Sequence, residues 1–303
     1  MRGFIGLVKR NILVYIKDYQ ALFFSILAPI IIFILYILFL RDTFISALDN
    51  SIGNLIDYID KNDITSFSNL ILLSSVLGSS LMTISFSSLA TIVNDKENKA
   101  SYDVNVSPIS RARIILAYLL ASILITFIIV LFIMILSLLI CNFINNTYLV
   151  FLDYLKLFGI LLLGTISACS FMMMIMIFFK TSSQRGAFQG ILCAASGFII
   201  GAYIPLSEFN PVIQTICNIF PASHITALFR NTLLGGVVNN IDLALNGIDN
   251  HILSITIKDI FGFNCNLFNS TVNNLFSLIY VFVIGIINII SLGIIYNKIY
   301  KEN

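Results

Sequence analysis

Residues 70–93 and 114–140 contain no charged side chain, and each run exceeds the roughly 20 apolar residues a helix needs to cross a bilayer. Residues 94–113, which join them, carry seven charged side chains and Pro108. A charge at bilayer depth costs about 3 kcal/mol or more, so this joining segment belongs in water or against another protein. The pattern is a membrane hairpin with a polar docking element at its turn. Composition agrees: 58% of residues are hydrophobic and 11% charged, against roughly 25% charged in a soluble domain. The chain is therefore expected to be an all-α polytopic membrane protein. Its net charge of +2 is small and its basic residues are dispersed, which argues against a nucleic-acid partner.

The remaining chain reads as one membrane domain over 1–303. Phe4, Val8, Ile12, Tyr15 and Tyr19 recur at helical spacing with Arg2, Lys9, Arg10 and Lys17 between them, which predicts an interfacial amphipathic helix over 1–20. Spans are predicted at 21–40, 70–93, 114–140, 157–179, 186–204 and 275–296. The first is an uncleaved span kinked at Pro29, because it is too long for a signal peptide and lacks a small-residue cleavage site. Residues 41–69 form a loop with five aspartates, 94–113 the central loop, and 205–274 an external segment of moderate polarity.

Six spans with both termini on one side make alternate loops differ in Lys and Arg content. Arg2, Lys9, Arg10, Lys17, Lys96, Lys99, Arg111, Arg113, Lys180, Arg185, Lys298 and Lys301 all fall on the side of the termini. These are twelve of the seventeen basic residues, and ten of the fifteen acidic residues fall opposite. The positive-inside rule then makes the termini cytoplasmic, and abundant Ile, Asn and Lys suit a bacterial plasma membrane.

Few residues offer chemistry. No glycine precedes a lysine, so the phosphate-cradling loop G-x-x-x-x-G-K-[ST] is absent and no catalytic residue is assigned. His224 and His251 lack a nucleophile partner in sequence. The predicted spans hold no acid, base or histidine, which disfavours coupling to an ion gradient. Cys141, Cys169, Cys193, Cys217 and Cys265 show no metal-ligand spacing, and no metal site is expected. Cys217 and Cys265 share a side, which allows a disulfide, although two free thiols are the simpler expectation. Ser75, Ser79 and seven further hydroxyls on the second span either line a polar route or pack helices, and packing is favoured. Gly190, Ala194, Gly197 and Gly201 form a small-residue stripe suited to close helix approach. Pro205, Pro211 and Pro221 bound short apolar stretches that read either as a re-entrant helix before the last span, tolerable where protein or a water-filled cavity covers it, or as an ordinary external loop helix, and the re-entrant form is favoured.

These features together resemble the membrane permease subunit of ABC-type exporters, the class that moves drugs, lipids and polysaccharides. Glu97, Ala100, Ser101, Val104, Pro108 and Ile109 stand where that family carries an acid, Gly, Thr, Leu and a Pro-Ile pair in its cytoplasmic loop. Gly201, Pro205, Pro211, Pro221 and Leu228-Phe-Arg230 fit its proline-bounded segment. The resemblance implies that residues 95–107 form a coupling helix seated in a separate ATP-binding cassette subunit, with Asp95, Glu97, Lys99, Ser101, Val104 and Pro108 engaged there. It also implies that ATP and Mg are bound by that partner, that no cofactor is held by this chain, and that a second permease copy completes the pathway in the lipid bilayer. The expected function is ATP-driven export of a hydrophobic or amphipathic substrate, multidrug export included. The alternative is a non-transporting anchor or sensor whose external segment binds a ligand. In a cysteine-free chain, Tyr102→Cys is expected to react with an impermeant maleimide only in opened cells and Asp49→Cys in intact cells; the reverse labelling would overturn the orientation.

Overall fold

In lipid a backbone must satisfy its own polar groups, and a helix does so segment by segment. The computed structural model, which describes residues 2–42, 45–46, 59–107, 109–144, 147–245, 251–268 and 270–299, is accordingly helical except for one small hairpin. Helix α1 (Arg2–Lys17) turns sharply into α2 (Tyr19–Leu35) at Asp18, whose carboxylate caps α2 by accepting from the Ala21 amide at 2.9 Å. A π-helical turn, Tyr36–Leu40, extends α2. Helix α3 (Lys61–Ser88) breaks at Leu89 and continues as α4 (Ala90–Glu97); α5 (Ala100–Val106) is a single short helix. Then come α6 (Arg111–Ile144), α7 (Phe151–Met176) and α8 (Ser182–Ile199). Helices α9 (Pro211–Ile219) and α10 (Pro221–Ala244) meet at 95°, followed by α11 (Ile252–Ile260), an antiparallel hairpin of β1 (Cys265–Leu267) and β2 (Ser270–Val272), and α12 (Asn274–Ile299).

Among the described residues, four helical segments are long and apolar enough to cross a membrane: Lys61–Glu97, Arg111–Ile144, Phe151–Met176 and Asn274–Tyr296. Taken as one span each, the bent pairs α1–α2 and α9–α10 bring the number to at most six. The predicted span at 186–204 is α8, which stops at Ile199 and is less apolar because Ser182, Ser183, Gln184 and Arg185 form its first turn. The predicted loop 41–69 is shorter than expected, since Asp60 caps α3 by accepting from the Asn62 amide at 2.9 Å. Residues 43–44 and 47–58 of that loop lie outside the described residues.

The largest correction concerns 205–274. Within this predicted external segment, α10 packs along α3, α7 and α12 and is one of the most buried helices of the bundle. Pro211 and Pro221 each occupy the first turn of a helix, where a missing amide proton costs nothing. The turn between them gives the proline-bounded bend that the sequence suggests, but it is α10, not the short α9, that enters the core. Its histidine is structural: buried His224 meets Ser277 Oγ at 3.0 Å and the Asn218 carbonyl at 2.9 Å and stacks on Tyr280.

Two glycines admit α10. A Cβ on Gly78 of α3 would collide with the Thr226 hydroxyl, and one on Gly164 of α7 would press on Ile225. One apolar core surrounds this contact, built from Leu77 and Leu81 of α3, Leu161 of α7, and Ile225, Phe229 and Leu233 of α10. A second core, nearer the 94–109 end, gathers Met82, Phe86, Ile115, Met172, Met176 and Leu192. The methionines of α7 therefore fill packing space, and no group of metal-binding side chains forms among the described residues. Gly78→Ala is expected to destabilise the detergent-solubilised protein by about 1–3 kcal/mol through overpacking. Thr226→Ala on the same chain should recover most of that loss in a denaturant titration.

Candidate functional site

The polar junction at 94–109 is assembled from a helix end, a corner and a second helix. Helix α4 ends at Glu97, Lys99 turns the chain with a left-handed φ of 61°, and α5 sets off in a new direction. Where a single helix over 95–107 is predicted, there are two helices with a corner between them. Pro108 lies outside the described residues.

Asp95 does not face outward. Its side chain is 7% exposed and accepts from both terminal nitrogens of Arg10, with Nη2 to Oδ1 at 2.6 Å, and from the Tyr118 hydroxyl at 2.5 Å. Asp95 lies one turn beyond Thr91 and Ile92 on the buried face of α4, so the helix period turns it inward. The expectation that Asp95 engages a partner subunit is corrected: it ties α4 to α1 and α6. The guanidinium fork meets the carboxylate with two donors, the strongest geometry available to such a pair.

The neighbouring residues hold the turn between α7 and α8. Lys96 Nζ donates to the Ile177 carbonyl at 2.6 Å, placing a cation at the C-terminal end of α7 where the helix dipole favours one. Ser182 donates its amide to Glu97 at 2.9 Å, and its hydroxyl serves both Glu97 and Asn94. Phe86, Phe179 and Phe188 pack beneath with ring centroids 5.1–5.9 Å apart. The junction is therefore bonded to α1, α6, the end of α7 and the start of α8 at once.

Of the predicted docking residues, Glu97 and Lys99 are exposed, while Ser101 and Val104 are half-buried and Val104 packs toward the second core. The face that α5 presents outward is instead Tyr102, Asp103 and Val106. Tyr102 is 67% and Val106 87% exposed, four residues apart on one side of the helix. The sequence signal for them was available: an aromatic and a β-branched residue spaced i, i+4 inside a charged segment.

The other predicted site residues divide between packing and an open groove. Ser75 and Ser79 are buried within the chain, Ser79 donating to its own helix at Val76. Most hydroxyls of α3 do the same or fasten α2, as Thr83 does to the Ser25 carbonyl at 3.0 Å and Ser87 to Ala21 at 2.7 Å. These bonds hold helices together within the chain. Gly190 and Ala194 line an apolar groove of about 530 Å³ between α2 and α8, with Phe24, Leu27, Ile31 and Phe198. Gly197 is different: a Cβ there would strike the Tyr203 ring, so it permits a close turn. Gly201 takes a left-handed φ of 67° at the end of α8. Pro205 leads into a 3-10 turn, Leu206–Glu208. All five cysteines are free thiols, Cys217 and Cys265 included, and burial pushes the Cys265 thiol up to about 12.

Comparison with known proteins matches residues 2–234 to the family described as ABC-2 type transporter. No curated protein and no solved structure matches the chain. Asp95→Asn is expected to lower stability by about 2–3 kcal/mol, less than for a fully buried pair because Arg10 keeps about a third of its surface in water. Arg10→Gln and Asp95→Asn together should cost less than the sum of the two, and strict additivity in denaturant unfolding would show that the pair is not energetically joined.

Proposed function

The chain belongs to the ABC-2 type transporter family, and on that premise we propose that it is the permease of an ATP-driven exporter for a hydrophobic or amphipathic substrate. The observation that carries this reading is α5, a short helix at a polar junction whose outward face is an exposed tyrosine and valine flanked by Asp103, Glu97 and Lys99. A small apolar anchor with a charged rim is what a groove on a partner protein recognises. The partner is an ATP-binding cassette subunit that holds ATP and Mg, consistent with a sequence in which no glycine precedes a lysine. The junction faces the cytoplasm of a bacterial plasma membrane, as the distribution of lysine and arginine suggests.

In this reading the ATP-bound partner biases the permease between two packings. Displacement of α5 passes through the Lys99 corner to α4, which continues α3. The Asp95 cluster carries it to α1 and α6, while Lys96 and Glu97 carry it to the ends of α7 and α8. A second permease copy faces this one across α2 and α8, where Gly190 and Ala194 leave an open apolar surface. The apolar character of that surface supports a substrate with a large apolar part.

Tyr102→Ala with Val106→Asp is expected to weaken capture of the ATPase subunit in a mild-detergent pull-down by roughly tenfold or more, as loss of interface anchors does. The variant's own melting temperature should be unchanged, because both side chains lie on the surface. Full retention of the ATPase subunit, with its activity intact, would remove α5 from the coupling role.

A further inference from the structure

Arg230 lies in the middle of α10, 2% exposed, and no carboxylate pairs with it among the described residues. Its Nη2 donates to the carbonyls of Ile200 and Gly201, both at 2.9 Å. Its Nη1 donates to the carbonyls of Phe261 at 3.1 Å and Gly262 at 3.3 Å. The first pair ends α8 and the second ends α11. Both helices terminate at a left-handed glycine, Gly201 with φ 67° and Gly262 with φ 63°, the conformation that turns the last carbonyls out of the helix. Each helix C-terminus presents roughly half a negative charge, so two of them converging on one guanidinium supply about the charge that a carboxylate would.

Neighbouring bonds follow the same division. Ser223 donates to the Ile199 carbonyl at 3.0 Å, the preceding carbonyl of α8. Ser207 reaches the Ile260 carbonyl at 2.8 Å, and Asn231 donates to the Phe263 carbonyl at 2.5 Å, on either side of the α11 pair. Asn218 of α9 donates to the Asn266 carbonyl of the hairpin at 2.8 Å. α9, α11 and the hairpin thus form a cap laced by polar bonds at the end of the bundle opposite residues 94–109. Arg230 joins α11 of that cap to α8 with one side chain, while the Ser223 hydroxyl, which also donates to the Cys217 carbonyl at 2.7 Å, joins α9 to α8.

We infer that Arg230 is a positioning residue that clamps the end of α8 to the α11 cap, so that the two move as one body during transport. The role rests on the transporter reading above. An ammonium cannot replace the clamp, since a point donor on a flexible stem lacks the rigid fork that reaches two pairs of carbonyls. Gly262 guards the same contact, because a Cβ there would stand 2.8 Å from Nη1.

Hydrogen exchange on the permease with its co-purifying ATPase subunit, in phospholipid nanodiscs, tests the clamp with and without ATP and vanadate. Without nucleotide, Arg230→Gln is expected to lose protection at least tenfold in 199–208 and 252–263 together, with α3 unchanged. Arg230→Lys should fall between, and Gly262→Ala should loosen 252–263 alone, which serves if Arg230→Gln does not fold. With ATP and vanadate, both segments of the unmodified protein should change together, and in Arg230→Gln the change should reach 199–208 but not 252–263. Protection of both segments unchanged in Arg230→Gln, or a nucleotide response in 252–263 that persists without the arginine, would overturn the clamp. Nucleotide silence throughout the chain, 94–109 included, would overturn the transporter reading and the role with it, a result separable from a failed clamp because the nucleotide-free loss of protection would still be seen.

Discussion

A carboxylate withdrawn from water has to be matched by donors at close range, and Asp95 meets that demand by recruiting two helices far away in sequence. Arg10 stands 85 residues before it and Tyr118 23 residues after. Burial of an unpaired charge costs several kcal/mol, so the pairing is obligatory once α4 is packed with that face inward. Helix α1 is held against α6 partly by its apolar face, with Val8 among Ala117 and Ala121, and partly by this bond. The surface helix is thus fastened to the bundle at the level of the junction, and α4 cannot rotate without breaking three hydrogen bonds.

Most of the architecture was legible because lipid imposes a simple rule. Residues 70–93 and 114–140 announce themselves as spans by lacking charge; α3 and α4 together cover the first, with a break at Leu89, and α6 covers the second. Helix α10 escaped that rule for a physical reason. Ser223, His224, Thr226, Arg230 and Asn231 lower its apolarity, yet every one of them is hydrogen-bonded inside the protein. Hydropathy measures affinity for lipid, and a helix surrounded by other helices is not required to have any.

The junction was legible as a place but not as a division of labour. Charge density located 94–113, whereas the helix period decided that Asp95 turns in and Tyr102 out, and a left-handed corner at Lys99 reset that period midway. Glycine told a similar story. The stripe on α8 drew attention, but Gly190 meets nothing and borders a groove, while isolated Gly78 and Gly164 make the closest helix contacts. Spacing reveals a stripe; only the partner helix reveals whether it is used inside the chain.

Helix α8 shows what these constraints produce together. Its first turn is fixed by Glu97 and Asn94 through Ser182, and its last carbonyls by Ser223 and Arg230. Eighteen residues make it about 27 Å long, close to the hydrocarbon thickness, so the two fixings lie at opposite ends of the bundle. Between them α8 offers small residues and an open groove toward α2. Its ends are therefore held by directional hydrogen bonds, while the groove along its middle is lined mainly by apolar residues. Such an arrangement needs no charge on the lipid-facing surface, and the charged groups lie instead at the ends of the helices, as Asp95 and Lys96 do, and in the shielded interior of α10, as Arg230 does.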